Sequence, residues 1–198
     1  MAHLPPLPEL YVVGAGPGDP ELLTLKAYRI LQFKEKALTK GRVIRLKGGD
    51  PFIFGRGFEE MLFARSHGIA AHYVPGISSM QAVGFEDIPL THRVVSEGFW
   101  VLTGTKKDGS LSADLRLAMQ SNSTVVIYMG MKKLPEIAAT YVQEGRGDTP
   151  AAAVMHASLP QRKVVVGRVQ DLPRLVAEAG ITYPAILFIG DVVSIGRP

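Results

Sequence analysis

The sequence lacks cysteine entirely and has only one tryptophan among its 198 residues. The absence of cysteine excludes disulfide bonds, cysteine-ligated zinc, iron–sulfur clusters and a cysteine nucleophile. Long hydrophobic runs are missing as well, because glycine, proline or charge interrupts every apolar stretch before the ~20 residues that span a membrane. Excess charge is also small, with 22 Lys and Arg against 18 Asp and Glu, and no dense basic run is present. We therefore expect neither a membrane nor a nucleic-acid partner.

Targeting and metal-binding signals are also absent. The first ten residues contain three prolines and lack the basic start and apolar stretch of a secretory signal, so we expect a cytoplasmic protein. The five histidines are scattered without i, i+4 spacing or acidic companions, and His156 alone is no argument for a ligand set. The sequence therefore predicts no metal site, and it gives no basis for a Ser-His-Asp catalytic triad.

From Leu10 onward, short apolar runs alternate with segments of helical periodicity, which predicts an α/β fold with parallel or mixed sheets. Strands are predicted near 10–14, 42–46, 70–74, 99–103, 124–129, 151–156, 163–167 and 185–190. Helices are predicted from Asp19 and Pro20 to Leu31 and near 57–67, 78–86, 112–120, 134–144 and 171–179. A loop-like stretch over 86–98 indicates two α/β domains, 1–92 and 93–198, with the boundary near His92.

The first glycine-rich loop runs over 11–20, from a strand into a helix that Asp19 can cap. A dinucleotide fingerprint does not fit because position 19 is Asp, and the Walker A pattern fails because no Gly-Lys-Ser/Thr follows. A carboxylate at the N-cap would also repel a phosphate. The loop suits close approach of the backbone to another kind of ligand, but a simple tight turn is an equally good interpretation.

The second glycine-rich loop, over 45–57, combines four glycines with an Asp50-Pro51 pair and two aromatic residues. Paired glycines expose backbone N–H and C=O groups, and Asp50 can accept a hydrogen bond from an ammonium or from neighbouring amides. This loop therefore predicts a site that holds a zwitterionic amino-acid group from two sides. Further loops follow strands at 73–79, 128–131 and 155–158, where helix capping by Ser78 or Ser79 and core packing of methionine are sufficient explanations.

Together these loops resemble the tetrapyrrole methylases, with a similarity that extends from about Leu10 to Val193. The segments that carry the resemblance are Val13–Thr24, Leu46–Gly57, Val74–Ser79 and Ile88–Arg93. The Gly-Gly-Asp-Pro-Phe-Ile-Phe-Gly-Arg-Gly run is most similar to members that methylate uroporphyrinogen III. Relatives that methylate later corrin precursors, rRNA ribose or diphthamide intermediates differ there.

The resemblance implies a homodimer of two-domain α/β chains that binds S-adenosylmethionine, folded, in a cleft between the domains. Pro17 would touch the cofactor, Gly48, Gly49 and Asp50 would hold its methionyl end, and other residues would line the pocket or contact the adenosine. Those other residues are Ile53, Ser78, Ser79, Tyr128, Met129, Val154, Ala157 and Ala185. Phe54, Arg56, His92 and Arg93 would contact the tetrapyrrole substrate, with Arg56, His92 and Arg93 meeting its carboxylates, whereas Lys106 and Lys107 fit a solvated surface better.

The implied activity is C-methylation of uroporphyrinogen III to precorrin-2, for sirohaem or cobalamin, by attack of an electron-rich pyrrole carbon on the cofactor's methyl group. The protein would mainly supply orientation and a dry cleft. The alternatives are a methylase of a later corrin precursor and a chain that binds the cofactor without catalysis. The residues do not distinguish one methyl transfer from two.

One departure from the family concerns the residues between the first helix and the second glycine loop. The family has several dozen residues there, including the Asp and Lys proposed to handle protons, whereas only Phe33 to Lys40 separate Gln32 from Gly41 here. No catalytic residue is therefore assigned. Either the sequence represents part of a longer chain or the variant has lost catalytic apparatus. We favour the first, because removing a strand and a helix should cost more stability than a domain has to spare.

Overall fold

The computed structural model describes residues 7–32 and 41–195, which form two compact units, Met1–Ser79 and Met80–Pro198. The division lies earlier in the chain than the boundary expected near His92. Its position follows from packing, because Val83 and Ile88 lie in a hydrophobic cluster of the second unit together with Phe188. The segment that precedes His92 thus belongs with the strands that follow it.

The first unit contains a parallel three-stranded sheet formed by β1 (Glu9–Gly14), β2 (Arg42–Lys47) and β3 (Ala70–Val74) in the order β2-β1-β3. Its helices are α1 (Leu25–Gln32) and α2 (Gly57–Ser66). Alternation along β1 sends Val12 and Val13 to opposite faces of the sheet. Val12 packs with Met61 and two alanines, while Val13 packs with Ala27 and Val74.

The second unit contains a mixed five-stranded sheet in the order β4-β5-β8-β6-β7, in which only β4 and β5 pair in parallel. Its strands are β4 (Phe99–Thr103), β5 (Thr124–Tyr128), β6 (Pro150–Met155), β7 (Lys163–Arg168) and β8 (Ala185–Ile189). Its α-helices are α3 (Leu115–Gln120), α4 (Leu134–Gln143) and α5 (Leu172–Glu178). Two hydrophobic clusters, one containing Ile127 and the other Phe188, form its core.

Two predicted helices differ from the structure. The first is interrupted, because a 3-10 turn at Pro20–Leu22 is followed by Leu23 in an extended conformation before α1 begins. Thr24 then caps α1, since its hydroxyl accepts from the Ala27 N–H at 3.2 Å. The helix expected over 78–86 is a 3-10 helix at Gln81–Glu86 whose N-cap is Met80, so neither Ser78 nor Ser79 caps it.

Across the described ranges 7–32 and 41–195, every helix is too short or too polar to cross a membrane.

Candidate functional site

Three glycine loops converge at the carboxyl ends of the first sheet's strands. Gly49 donates its N–H to the Gly16 carbonyl at 2.7 Å, and Gly16 returns a bond to the Gly49 carbonyl at 3.3 Å. The third loop lies equally close, because a Cβ added to Gly76 would stand 2.3 Å from the Gly49 oxygen and 2.7 Å from the Gly14 Cα. A side chain has no room there, so glycine is required at these positions by close approach of the backbones.

Asp50 organises this group of loops from a buried position, with 7% of the residue exposed. One carboxylate oxygen accepts from the Tyr73 hydroxyl at 2.6 Å and from the Gly76 N–H at 3.1 Å, and the other accepts from the Phe52 N–H at 2.8 Å. Burial, followed by the hydrogen bond and the negative charge of Asp50, raises the pKa of Tyr73 to about 12. These contacts make Asp50 a brace between the second and third loops.

The predicted cofactor residues of the first unit share this edge of the sheet. Pro17 directly follows Gly16 in the first loop, and a Cβ on Gly49 would lie 3.6 Å from the Ser79 nitrogen and 3.8 Å from the Ser78 Cα. Ile53 donates its N–H to the Asp50 carbonyl at 3.2 Å. Gly48 instead faces open space, since a Cβ there would meet no described atom within 4 Å. The loops therefore leave room for a ligand beside Gly48.

The second glycine loop also holds two non-glycine residues in the left-handed region, Phe54 at φ 53° and Arg56 at φ 57°. The position of Gly55, between these two residues, has no space for a side chain, because a Cβ there would stand 2.6 Å from the Pro51 oxygen. Left-handed backbone at such residues costs energy and is concentrated at functional loops. Phe54 and Arg56 are both exposed, and their contact with a substrate stays a prediction.

In the second unit, the loops after β4 and β5 meet at another close backbone contact. Gly104 donates its N–H to the Tyr128 carbonyl at 2.6 Å, and the Thr105 hydroxyl donates to the Met129 carbonyl at 3.0 Å. Met129 is held at φ 54° and is half exposed. The sequence interpretation missed the Thr103–Thr105 loop, although a glycine directly after a strand was a usable signal.

The other predicted adenosine residues are divided between the two hydrophobic clusters of the second unit. Tyr128, Val154 and Ala157 belong to one cluster, and the Tyr128 hydroxyl accepts from the Met80 N–H at 2.9 Å. Ala185 packs in the other cluster, opposite Met155 across the β6–β8 pair. Val154 and Ala185 are both buried.

His92 and Arg93 lie in a short turn of the second unit. The turn is closed by reciprocal bonds of 2.8 Å between His92 and Ser96, and the His92 Nδ1 accepts from the Val94 N–H at 3.3 Å. Both side chains are exposed and available to an anionic ligand. Lys106 pairs with Asp108 at 3.9 Å, as a solvated surface residue does. The described part of the chain contains no group of three or more His, Asp or Glu that could hold a metal ion.

Comparison with known proteins identifies relatives over nearly the whole chain. The family model of the Tetrapyrrole (Corrin/Porphyrin) Methylases matches residues 9–35 and 31–173. A siroheme synthase of Thiobacillus denitrificans is 35% identical and the alignment covers 98% of this chain, and one of Chromobacterium violaceum is 36% identical over 94% of it. The chain spans about half the length of these curated relatives, since each alignment covers 50% of the relative.

Solved structures of methyltransferases also match this chain. The native uroporphyrin III C-methyl transferase from Thermus thermophilus superposes with a TM-score of 0.81 at 34% identity, covering 94% of each chain. The same enzyme complexed with S-adenyl homocysteine gives a TM-score of 0.80, covering 94% of this chain and 99% of that one. A cobalt precorrin-4 methyltransferase shares the fold, with a TM-score of 0.80 at 21% identity.

Two details of the comparisons concern the segment where the sequence departs from the family. The match to the family is divided into two stretches whose ends meet within residues 31–35. The alignment with the Thiobacillus denitrificans relative runs over 241 positions although this chain has 198 residues. That relative therefore contributes positions for which this chain has no residue.

Proposed function

The chain belongs to the tetrapyrrole methylase family, and we propose that it transfers methyl groups from S-adenosylmethionine to uroporphyrinogen III, forming precorrin-2. Methylation of a tetrapyrrole is the activity that the family's description names. The choice of uroporphyrinogen III as substrate is supported by the relative from Thermus thermophilus, which is 34% identical and is a uroporphyrin III C-methyl transferase. The product would enter the synthesis of sirohaem or cobalamin.

The observation that carries this proposal is the convergence of the Gly14, Gly49 and Gly76 backbones beside open space at Gly48. Loops of this kind hold a compact ligand by main-chain N–H and C=O groups. They do not suit a phosphate, because the Asp19 carboxylate already accepts from the Glu21 N–H at 2.9 Å at the start of the 3-10 turn. A sulfonium nucleoside, which carries an amino-acid group and no phosphate, fits these loops.

The proposed roles of the first-unit residues follow from this geometry. The backbones of Gly48 and Gly49 would bind the amino-acid group, and Pro17, Ile53, Ser78 and Ser79 would line the space around it. Asp50 would hold the loops in position, since its carboxylate accepts hydrogen bonds from Tyr73, Gly76 and Phe52, and its remaining acceptor capacity would help to hold the amino-acid group. Asp50 therefore stabilises the shape to which the ligand binds.

The proposed roles of the second-unit residues concern the adenosine and the substrate. Tyr128, Met129, Val154, Ala157 and Ala185 would contact the adenosine, the buried ones through their backbone. Exposed Arg56, His92 and Arg93 would bind the carboxylates of the tetrapyrrole, and exposed Phe54 would contact the tetrapyrrole beside them. Arginine is suited to this role because its planar guanidinium pairs with a carboxylate through two hydrogen bonds.

The chemical step proposed is an in-line displacement at the methyl group. The cofactor supplies an electrophilic methyl whose bond to sulfur breaks, with the electron pair leaving on sulfur. The pyrrole carbon would provide the electrons of the new carbon–carbon bond, and the proton lost from the tetrapyrrole would pass to water. This chain's residues would contribute by orienting the reactants and by excluding water. Together these two effects account for a large part of the rate enhancement in enzyme-catalysed bimolecular reactions.

The test is incubation of the purified chain with uroporphyrinogen III and cofactor labelled in the methyl group. We expect label in the tetrapyrrole and a mass increase corresponding to two methyl groups. Parallel incubation with a later corrin precursor distinguishes the two substrate classes, and label transferred only to the later precursor would reject the proposal.

The cofactor site is tested separately by two matched glycine substitutions. A Cβ added at Gly48 or at Gly84 would meet no described atom within 4 Å, and neither residue has a positive φ, so alanine is tolerated sterically at both. Gly48→Ala narrows the proposed site and should weaken S-adenosylhomocysteine binding by about tenfold, or ~1.4 kcal/mol. Gly84→Ala, in a 3-10 helix of the second unit, should leave the affinity unchanged.

A second candidate function is cofactor binding without catalysis. It is favoured by the Thiobacillus denitrificans alignment, in which the relative has positions that this chain lacks. Calorimetry that detects S-adenosylhomocysteine binding, combined with an absence of label transfer to any tetrapyrrole, would identify this function.

A further inference from the structure

The strand β2 forms one edge of the first sheet among the residues that the structure describes. None of its residues is buried, and Val43 and Leu46, on opposite faces of the strand, are 60% and 49% exposed. An edge strand with exposed apolar side chains presents unpaired backbone N–H and C=O groups to another extended chain. The outer edge of β2 is therefore suited to pairing with a further strand.

The charged residues of β2 do not prevent this edge from pairing with another strand, because carboxylates of the same unit neutralise them. Arg42 lies 2.6 Å from Glu9, Arg45 lies 3.2 Å from Glu60, and Lys47 lies 2.5 Å from Glu60. The Lys47 ammonium and, to a smaller extent, the Arg45 guanidinium hold the pKa of Glu60 below its usual range against the opposing effect of burial. Edge lysines and arginines discourage strand pairing best when their charge is free.

A groove with an accessible volume of about 960 Å³ lies beside β2. Its apolar wall includes Leu10, Val43, Phe63, Ala64 and Ile69, and Phe63 of α2 is 69% exposed. Apolar surface that is gathered in one groove and rimmed by charge is characteristic of an interaction site. Because the groove adjoins a free strand edge, an extended polypeptide can satisfy the backbone of β2 and bury the apolar wall at once.

The comparisons indicate that the relatives carry additional residues close to this surface in the chain. The family match is divided within residues 31–35, shortly before β2 begins at Arg42. The Thiobacillus denitrificans relative has additional positions in its alignment, which runs over 241 positions against the 198 residues of this chain. Because residues 31–35 lie shortly before β2 in the chain, a segment inserted there is connected closely to β2.

We propose that the edge of β2 and the adjoining groove form a docking surface for a separate polypeptide segment equivalent to the one that the relatives carry at this point. The segment adds a fourth strand to the first sheet and packs its apolar side chains against Val43 and Phe63. A second copy of this chain is the competing occupant, and the dependence of β2 exchange on protein concentration tests it.

The experiment uses the full chain and a synthetic peptide with the sequence that the Thiobacillus denitrificans siroheme synthase carries between its counterparts of residues 32 and 41. Hydrogen exchange of backbone amides is measured with and without the peptide. We expect exchange in β2 to slow by about tenfold or more when the peptide is bound, because new hydrogen bonds protect the edge. Exchange in β7, an edge strand of the second sheet, should not change.

Two exposed apolar residues provide matched variants. Val43→Lys puts a charge in the docking surface and should weaken peptide binding by about tenfold. Leu117→Lys, a similar change at an exposed position in α3 of the second unit, should not affect it. A scrambled peptide should leave the exchange of β2 unchanged.

Three outcomes would overturn the proposal. They are unchanged β2 exchange with the relatives' peptide, equal protection by the scrambled peptide, and protection of β2 that grows with protein concentration when no peptide is present. The last would identify a second copy as the occupant. None of these readouts depends on methyl transfer, so failure here leaves the proposed function intact.

Discussion

The two units of the chain differ in how completely their sheets are covered. In the second unit, four of the five residues of β5 are buried, and the strand contributes to hydrophobic clusters on both faces. In the first unit, β2 has no buried residue, and apolar side chains such as Leu25 and Phe63 are more than two-thirds exposed. The first unit nevertheless holds the closest glycine approach, since a Cβ on Gly76 would stand 2.3 Å from the Gly49 oxygen. Local stability and precise loop geometry therefore come from different sources in this molecule.

The difference shows where each unit obtains its order. The second unit is stabilised mainly by burial of side chains such as Phe188 and Ile137, at roughly 25 cal/mol per Å² of apolar surface. The loops of the first unit are stabilised by polar contacts, above all those of Asp50. We expect the first unit to open more readily than the second, since few apolar contacts and an exposed edge strand are features of regions with low local stability.

The largest effect on the free energy of unfolding is expected from a matched pair of methionine substitutions. Met119 of the second unit is 1% exposed and Met61 of the first is 3% exposed. Truncation of a buried methionine costs about 2–5 kcal/mol, and the cost depends on how far the surroundings relax. We expect about 4 kcal/mol for Met119→Ala and about 2 kcal/mol for Met61→Ala, because the cluster around Met61 is small and can collapse or admit water.

The free energy of unfolding of both variants is measured by urea denaturation. Hydrogen exchange then shows in which unit stability is lost. Unchanged slopes of the unfolding curves are needed before the free energies are compared. A cost for Met61→Ala equal to or above that for Met119→Ala would show that the first core is as tightly packed as the second, and the comparison between the units would be wrong.

The strands and the glycine loops could be predicted from the sequence to a large extent. β3 and β4 begin and end at the predicted residues, because each is a run of five mostly apolar residues between clear turn signals. The fold class and the family are confirmed by the comparisons. The assignments of individual cofactor and substrate residues stay predictions, since no comparison tests them residue by residue.

The interactions that the sequence did not predict depend on residues far apart in the chain. The first helix is interrupted where the Thr24 hydroxyl reaches the Pro75 carbonyl at 3.2 Å, and Asp50 is bound by Tyr73 and Gly76 from the third loop. Local propensity favoured one continuous helix after Pro20, but contacts between loops outweighed it. Asp50 was expected to accept from a ligand's ammonium group or from neighbouring amides, and which amides and which hydroxyl donate to it could be known only from the folded chain.

An intermediate effect is expected when the hydroxyl of Tyr73 is removed. Tyr73→Phe deletes the bond of 2.6 Å to the Asp50 carboxylate and should cost about 1.5–3 kcal/mol, as hydrogen bonds to charged groups do. The pKa of Tyr73 is raised from 10.0 to about 12, first by burial and then by Asp50. A raised pKa means that its contribution is fully present below pH 10 and is lost as the pH rises through about 12.

The pH dependence provides the measurement for Tyr73. The difference in unfolding free energy between the wild type and Tyr73→Phe should be constant up to about pH 10 and should shrink towards pH 12. Other tyrosines and lysines titrate in both proteins and cancel in the difference. A difference that stays constant across this window would show that neither burial nor Asp50 raises the pKa of Tyr73.

The smallest effect, and one of opposite sign, is expected for the buried tyrosine of the second unit. Tyr141 is 2% exposed, its hydroxyl has no hydrogen-bond partner among the described residues, and burial raises its pKa. An unsatisfied buried hydroxyl costs free energy, so Tyr141→Phe should leave stability unchanged or raise it by up to about 1 kcal/mol. Thermal unfolding of both tyrosine variants under the same conditions makes the comparison. If Tyr141→Phe destabilises as much as Tyr73→Phe, an ordered water satisfies Tyr141, and the second unit also depends on a buried polar contact.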